Sequence, residues 1–179
     1  MLLNYSCLEH SDFSEGLAAI YRNGKWGYID AAGELVIPCQ WDSASNFHEG
    51  LAAVSCDDEY GFIDKTGNLA IPRQWELADD FSEGLARVIQ DGSQGFINVH
   101  DEWVVAPKLT PSWFGRFQNG LCVQTMDGKD VCLDTRGNVL VTCEIGTIQL
   151  WGNRIFILTP ADETHYVLSV YDSTGNKLL

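Results

Sequence analysis

Glutamate recurs in this sequence in a setting that could support catalysis. Glu15, Glu49 and Glu83 stand in the strings FSEG, FHEG and FSEG, and successive copies are 34 residues apart. Such a row of carboxylates could supply general acids and bases. A fourth string, FQNG, carries Asn119 instead of glutamate and keeps the glycine. This replacement favours a structural role, in which each glutamate accepts backbone N–H groups where the chain enters a strand.

Histidine, cysteine and glycine show no spacing typical of a catalytic, metal or phosphate site. The four histidines form no constellation, and His48 occupies the variable position of the Phe-x-Glu-Gly motif. The six cysteines lack a Cys-x-x-Cys pair, and the N-terminus lacks an export signal, so we expect reduced thiols in a cytoplasmic protein. The recurring glycines precede no helix start and no well-placed lysine. We therefore predict no catalytic residue, no metal ligand, no cofactor and no enzymatic activity.

The glutamates belong to an internal repeat. A phenylalanine opens each copy, at positions 13, 47, 81 and 117, in steps of 34, 34 and 36. The string VYDSTGNKLL ends the chain and keeps the Asp-x-x-Gly pattern of the earlier copies. We predict a single repeat domain over 1–179, with an N-terminal cap at 1–12, four repeats at 13–46, 47–80, 81–116 and 117–149, and a degenerate capping repeat at 150–179.

Each repeat is typical of a three-stranded antiparallel meander. The first strand, GLAAIY in the first copy, ends at Asn23-Gly24, a pair suited to a tight hairpin turn. The second strand, KWGYID, ends at an Asp-x-x-Gly turn, and the third, ELVIP, is closed by Pro38, which cannot donate to a ladder. This spacing leaves no room for a helix of ordinary size. The fold class is therefore predicted to be all-β.

A lone three-stranded sheet is barely stable, so each meander must lay its apolar face on its neighbours. Aromatic residues that recur in register, such as Trp26, Phe47 and Tyr60, are expected mainly in this packing. We predict tandem meanders of about 34 residues stacked in an open superhelical array. A propeller-like ring is the alternative, although propeller blades usually need ~40–45 residues.

The motif WGYID, followed by G and VIP and led by F-x-EGLA, resembles the WG-repeat family of β-repeat proteins. The first copy has the full motif from Trp26 to Asp30, whereas the second and third copies keep the glycine and replace the tryptophan with Tyr60 and Gln94. The fourth copy has Asp130-Val131 in place of Trp-Gly, so its second strand is expected to pair differently. The resemblance implies a non-catalytic, mostly bacterial scaffold of diverse role.

Negative charge is concentrated in the first repeats. The net charge of the chain is −14; residues 1–102 hold 18 acidic and 5 basic residues, a balance of −13. Nucleic acid is disfavoured as a partner because phosphate binding needs clustered lysine and arginine, and no apolar run is long enough to span a membrane. In a meander the first turn and the inter-repeat loop should lie at the same end, so these acids are expected to form one strip. The predicted partner-binding residues on that strip are Asp42, Glu49, Asp57, Asp58, Glu59, Glu76, Asp79, Asp80 and Asp91.

Three function classes follow from this pattern. The leading hypothesis is a protein-binding module that recognises a basic partner through the acidic edge, in its sharper form a bacterial immunity protein or antitoxin. The alternative is a glycan or small-molecule binding module that uses exposed Trp and Tyr side chains. The third class, an enzyme, is disfavoured. The acidic strip also has a simpler interpretation, as a solvated edge that keeps the repeats soluble.

Overall fold

The protein consists of β-strands and connecting turns throughout the part of the chain that its structure, a computed structural model, describes: residues 10–109, 115–162 and 165–179. Seventeen strands and no helix occur within these ranges. This confirms the all-β prediction. The chain divides into two compact units, 1–81 and 82–179, which are described in turn.

The first unit contains two antiparallel sheets with long strands in meander order. The first sheet has the order β1-β2-β3, and the second has the order β4-β5-β6-β7. The strands of this unit are β1 (Leu17–Arg22), β2 (Lys25–Asp30), β3 (Leu35–Trp41), β4 (Ser43–Ala44), β5 (Leu51–Cys56), β6 (Glu59–Asp64), β7 (Leu69–Trp75) and β8 (Leu77–Ala78). The short β4 was not predicted. It forms because the chain leaving the first sheet runs back along β5, where it pairs with Val54 and Ser55.

The second unit contains three meanders. Their long strands are β9 (Leu85–Gln90), β10 (Ser93–Asn98), β11 (Trp103–Leu109), β12 (Leu121–Met126), β13 (Lys129–Asp134), β14 (Val139–Cys143), β15 (Thr147–Trp151), β16 (Arg154–Pro160) and β17 (Tyr166–Tyr171). The boundary predicted between residues 149 and 150 falls inside β15. The last Asp-x-x-Gly turn forms as expected, since the N–H of Gly175 donates to the carbonyl of Asp172 at 3.1 Å.

The tight turns between first and second strands have the predicted backbone conformation. Both central residues lie in the left-handed region, with φ of 54° at Asn23 and 83° at Gly24. The same holds for the other three pairs, Asp57-Asp58, Asp91-Gly92 and Asp127-Gly128. Positive φ at both positions matches the turn twist to the strand twist, which explains why Asn, Asp and Gly recur there.

Gly27 of the Trp-Gly motif lies under a bulge of the third strand. Trp26 pairs with Trp41 and Tyr28 pairs with Ile37, so the segment around Pro38 loops over Gly27. A Cβ at Gly27 would meet the carbonyl oxygen of Ile37 at 2.5 Å. The prediction that Pro38 closes the third strand is therefore wrong, because β3 continues to Trp41 with the proline accommodated in the bulge.

The fourth repeat lacks both this glycine and the bulge. Val131 stands at the glycine position and pairs directly with Thr142, while Asp130 pairs with Cys143 and Cys132 with Val141. A valine side chain leaves no space for the overlying bulge, so the strands pair regularly there. The expectation that this second strand pairs differently is confirmed.

Adjacent sheets within each unit pack face to face through the recurring aromatics. Tyr28 lies against Phe47, the opening residue of the next repeat, with ring centroids 4.8 Å apart. In the second unit Phe96 and Phe117 repeat the arrangement at 5.0 Å. Apolar residues of both sheets share the surrounding core in each case. The predicted packing role is confirmed, and the choice between open array and ring stays a prediction.

Candidate functional site

The recurring Phe-x-Glu-Gly motif joins one repeat to the next through hydrogen bonds. The N–H of Gly50 donates to Glu15 Oε2 at 3.0 Å, and the Ser14 hydroxyl donates to the carbonyl of Phe47 at 2.6 Å. Lys65 lies 3.0 Å from the same Glu15 oxygen. The predicted structural role is therefore confirmed for Glu15, but the accepted N–H belongs to the following repeat.

The second unit contains the same link. The N–H of Gly120 donates to Glu83 Oε2 at 2.8 Å, and the Ser82 hydroxyl donates to the carbonyl of Phe117 at 2.9 Å. Sequence reasoning identified the residues and the kind of acceptor. It missed that the donor N–H belongs to the next repeat, 37 positions away, because this pairing depends on how the sheets stack.

The hydrogen bonds and ion pair of Glu15 predict that the free energy of unfolding decreases at acid pH. The bond from Lys65, together with the Gly50 N–H, lowers the pKa of Glu15 below its ordinary value of 4.5. A depressed folded-state pKa contributes stability that is present above the unfolded pKa and is lost as the pH falls through the folded pKa. The unfolding free energy of wild type should therefore exceed that of Glu15→Gln at pH 7, and urea titrations should show the difference shrinking below about pH 4.5.

Glu34→Gln is the matched control for this measurement. Within the described residues the Glu34 side chain is exposed and has no hydrogen bond or ion pair. Its replacement should leave the pH profile unchanged. A Glu15→Gln difference that stays constant from pH 7 to pH 3 would contradict the linkage.

The predicted acidic residues of the first unit gather at two opposite ends of its second sheet. One end carries the turn between β5 and β6, where Cys56 pairs with Glu59. Asp42 joins this end, because its Oδ2 accepts the N–H of Asp57 at 3.1 Å. We call Asp42, Asp57, Asp58 and Glu59 the turn cluster. All four side chains are exposed.

Glu49 lies at the other end of the sheet, so the prediction of a single strip is wrong. His48 bridges to Leu51, and Leu51 pairs with Asp64, which places Glu49 beside the Asp-x-x-Gly turn. Asp80 is also at this end, with its Oδ2 3.4 Å from His48 Nε2. The connecting segment, which includes β4, runs back along β5 from Asp42 to His48 and therefore does not stay at one end.

The three remaining predicted acids, Glu76, Asp79 and Asp91, lie outside these two groups. Glu76 follows Trp75, which pairs with Tyr60 near the first turn, and its side chain is exposed. Asp79 precedes Asp80 on the returning segment and is half-buried. Asp91 lies in the exposed first turn of the second unit. The structure thus brings together four of the nine predicted residues.

Two side chains outside the turn cluster contact its carboxylates. Lys25 Nζ lies 2.5 Å from Asp42 Oδ1, and the Cys56 thiol donates to Asp57 Oδ2 at 3.6 Å. Desolvation, together with the neighbouring Asp57 charge, raises the pKa of the Cys56 thiol. The free thiol is therefore protonated near neutral pH. The carboxylates of Asp58 and Glu59 remain directed at solvent.

Cysteines and tryptophans elsewhere are divided between core and surface. The five cysteines within the described ranges are free thiols, and Cys7 lies outside those ranges. Trp41 and Trp75 are buried, whereas Trp103 is 37 % exposed and Trp151 is 81 % exposed. Trp113 lies outside the described residues.

The last sheet exposes one apolar face. Ile155 and Ile157 point into the core shared with the fourth repeat. The alternate residues of β16 point the other way, and directly paired residues of neighbouring strands share their face. The large side chains on this outer face are Trp151, Phe156, Leu158, Tyr166 and Leu168.

Known proteins resemble this chain in sequence pattern and in fold. The WG containing repeat matches three successive segments, 11–26, 26–60 and 60–93. No curated protein sequence matches the chain. Among the described residues no helix is long and apolar enough to cross a membrane.

Solved structures share the β architecture at low identity. A eukaryotic initiation factor aligns at 11 % identity and a TM-score of 0.52 over 92 % of this chain and 52 % of its own. Hsv2 of Kluyveromyces lactis aligns at 12 % identity and a TM-score of 0.52 over 96 % of this chain and 62 % of its own. The chain thus spans between half and two thirds of these structures, and such identities show the fold alone. The three consecutive matches, on meanders built around Trp-Gly and its equivalents, show that residues 11–93 consist of WG-containing repeats.

Proposed function

We propose that this protein is a non-catalytic protein-binding module that recognises a basic partner through the turn cluster. The observation that carries the proposal is the grouping of Asp42, Asp57, Asp58 and Glu59 at one exposed end of the second sheet. Among the described residues, Lys25 is the one side chain that forms an ion pair with the cluster, at Asp42. Arg73 also lies beside this turn, where its guanidinium donates to the Cys56 carbonyl at 2.7 Å. Four carboxylates thus face two cations, and the cluster keeps a net negative charge.

Electrostatics and rigidity both support this proposal. A local excess of negative charge accelerates encounter with a positively charged surface and favours that partner over neutral ones. Asp57 and Asp58 form a two-residue turn held by strand pairing on both sides, Glu59 begins β6, and Asp42 is tied to the turn by the Asp57 N–H. A rigid presentation reduces the entropy lost on binding.

A charge-removal pair tests the proposal. The double variant Asp58→Asn with Glu59→Gln removes two charges from the turn cluster. The control, Asp12→Asn with Glu34→Gln, removes two charges from exposed positions of the same unit near its opposite end. Binding of a hepta-arginine peptide, measured by calorimetry at 50 and 300 mM salt, should weaken severalfold in the test variant only.

The same pair of variants identifies a natural partner. A protein captured by wild type and by the control, but lost with the test variant and at high salt, supports the proposal. Equal weakening of peptide binding in both variants would show that net charge acts without a local site. That outcome would overturn the turn cluster as the recognition surface.

In its sharper form the proposal is a bacterial immunity protein or antitoxin that acts in the cytoplasm by masking a basic toxin. The net charge of −14 supports this form. It requires that wild type inhibit the captured partner's activity and that the test variant inhibit it less. A captured partner without such activity would contradict it.

A second candidate function is binding of a glycan or small molecule on the outer face of the last sheet. Trp151 is 81 % exposed, and its ring centroid lies 6.4 Å from that of Phe156. The two rings are tilted by 48°, and the exposed indole of Trp151 offers an aromatic face on which a sugar ring can stack. Quenching of Trp151 fluorescence by a glycan, absent from Trp151→Phe, would support this function, and no quenching across a glycan panel would remove it.

A further inference from the structure

A cavity of about 530 Å³ opens between the fourth and fifth sheets in the second unit. Its walls come from β12, from Asp130 on β13 and from β15. The lining residues are Val123, Gln124, Thr125, Asp130, Thr147, Ile148 and Gln149. Directly paired residues share a face, so Val123, Thr125 and Asp130 point toward the fifth sheet together with Cys132.

The cavity occurs where the fourth repeat has lost its aromatic residues. In the first repeat, Tyr21 pairs with Trp26 across the hairpin and Trp26 pairs with Trp41, and the Tyr21 and Trp26 rings lie 5.2 Å apart. The equivalent pairs in the fourth repeat are Thr125 with Asp130 and Asp130 with Cys143. Three large rings are thus replaced by a hydroxyl, a carboxylate and a thiol, which fill much less space.

Asp130 gives this cavity its charge. The carboxylate is half-buried, and its Oδ1 accepts a hydrogen bond from Thr125 Oγ1 at 3.3 Å. Within the described residues it forms no salt bridge, since the adjacent Lys129 pairs with Glu144 at 2.7 Å. A half-buried carboxylate without a counter-ion favours a cationic ligand and disfavours carboxylates and phosphates.

Two apolar residues of the lining suit an aliphatic stem. Val123 is half-buried and Ile148 is buried beside the opening. A ligand that combines a methylene chain with a terminal cation would contact these side chains along its length and reach Asp130 with its charge. Arginine fits this description, and its guanidinium can donate two parallel bonds to one carboxylate.

We propose that the Asp130 cavity receives an arginine side chain of the basic partner, with the guanidinium on Asp130 and the stem against Val123 and Ile148. The identity of the partner rests on the proposed function, but the chemistry of the cavity does not. The turn cluster lies in the first unit and the cavity in the second, so each can fail without the other.

A capped arginine tests the cavity directly. N-acetylarginine methylamide is titrated into the full-length ¹⁵N-labelled protein and followed by NMR. The amide signals of Val123, Asp130 and Ile148 should shift on binding. The citrulline analogue, which has the same shape and no charge, should bind about tenfold or more weakly, as expected for losing one charge-assisted pair.

Two variants distinguish the effect of the Asp130 carboxylate on arginine binding from the effects of net charge and of misfolding. Asp130→Asn should weaken arginine binding about tenfold or more. Asp127→Asn removes one charge from the exposed turn nearby, where asparagine tolerates the φ of 51°, and should bind arginine as wild type does. Well-dispersed spectra confirm that both variants are folded.

Three outcomes would overturn the proposal. The first is the absence of shifts at these three amides, and the second is equal binding of arginine and citrulline analogues. The third is tighter binding of agmatine than of capped arginine, which would assign the cavity to a free small-molecule cation. Shifts that are lost in Asp130→Asn and kept in Asp127→Asn support it, whatever the hepta-arginine experiment shows for the first unit.

Discussion

Replacement of Phe47 with alanine is expected to lower the free energy of unfolding by about 4 kcal/mol. Phe47 is fully buried and packs edge-on against Tyr28 in the core between the first and second sheets. Its loss leaves a cavity that the surrounding strands cannot close, because the strand ladder holds them apart. Urea denaturation followed by tryptophan fluorescence measures the change.

Phe13 provides a control at the equivalent position of the first repeat. Both phenylalanines open a Phe-x-Glu-Gly motif, but Phe13 is 55 % exposed. Phe13→Ala should therefore cost less than about 1 kcal/mol. Equal destabilisation by the two substitutions would contradict the assignment of the motif phenylalanine to packing between repeats.

Replacement of Gly27 with alanine is expected to cost about 3 kcal/mol. The new Cβ would lie 2.5 Å from the Ile37 carbonyl oxygen and 2.7 Å from the Cys39 nitrogen, and both are backbone atoms of a strand held by its ladder. The bulge of β3 must open or shift to relieve the contact, with loss of pairing on both sides. Chemical denaturation and amide exchange along β3 measure these effects.

Gly33→Ala separates this steric effect from the loss of glycine's backbone freedom. Gly33 has a φ of +81°, and a Cβ there would meet nothing within 4 Å. Its replacement should cost about 1–2 kcal/mol through backbone strain alone. If Gly27→Ala costs no more than Gly33→Ala, the close approach of the bulge is not what requires glycine in the Trp-Gly motif.

The second strand of the fourth repeat, around Val131, shows that local sequence predicted a change in strand pairing but not the cavity beside it. Loss of both Trp and Gly from the fourth copy indicated a changed second strand, and the strand does pair without the bulge. The cavity beside Asp130 was missed. The available signal was the joint replacement of Tyr21, Trp26 and Trp41 by smaller residues, which becomes visible only once strand pairing shows that the three positions are neighbours.

The acidic residues show where sequence reasoning failed. Their number and their concentration in the first repeats were evident from composition. Their division between two ends of a sheet was not, because it depends on the path of the connecting segment. β4 carries the chain back along β5, so residues close in sequence, Asp42 and Glu49, emerge at opposite ends.

The sequence by itself determined the repeat, the all-β class, the tight turns and the WG motif, because each depends on residues close together in the chain. Turn chemistry and alternation act over a few positions, and a repeated pattern reports them several times over. Tertiary structure alone decided which repeat each glutamate bonds, where Pro38 lies in its strand, and which carboxylates share a surface. The glutamate bonds depend on how sheets stack and join residues more than 30 positions apart. The bulge at Pro38 and the grouping of carboxylates depend on how strands and connecting segments pair, which involves residues up to 15 positions apart.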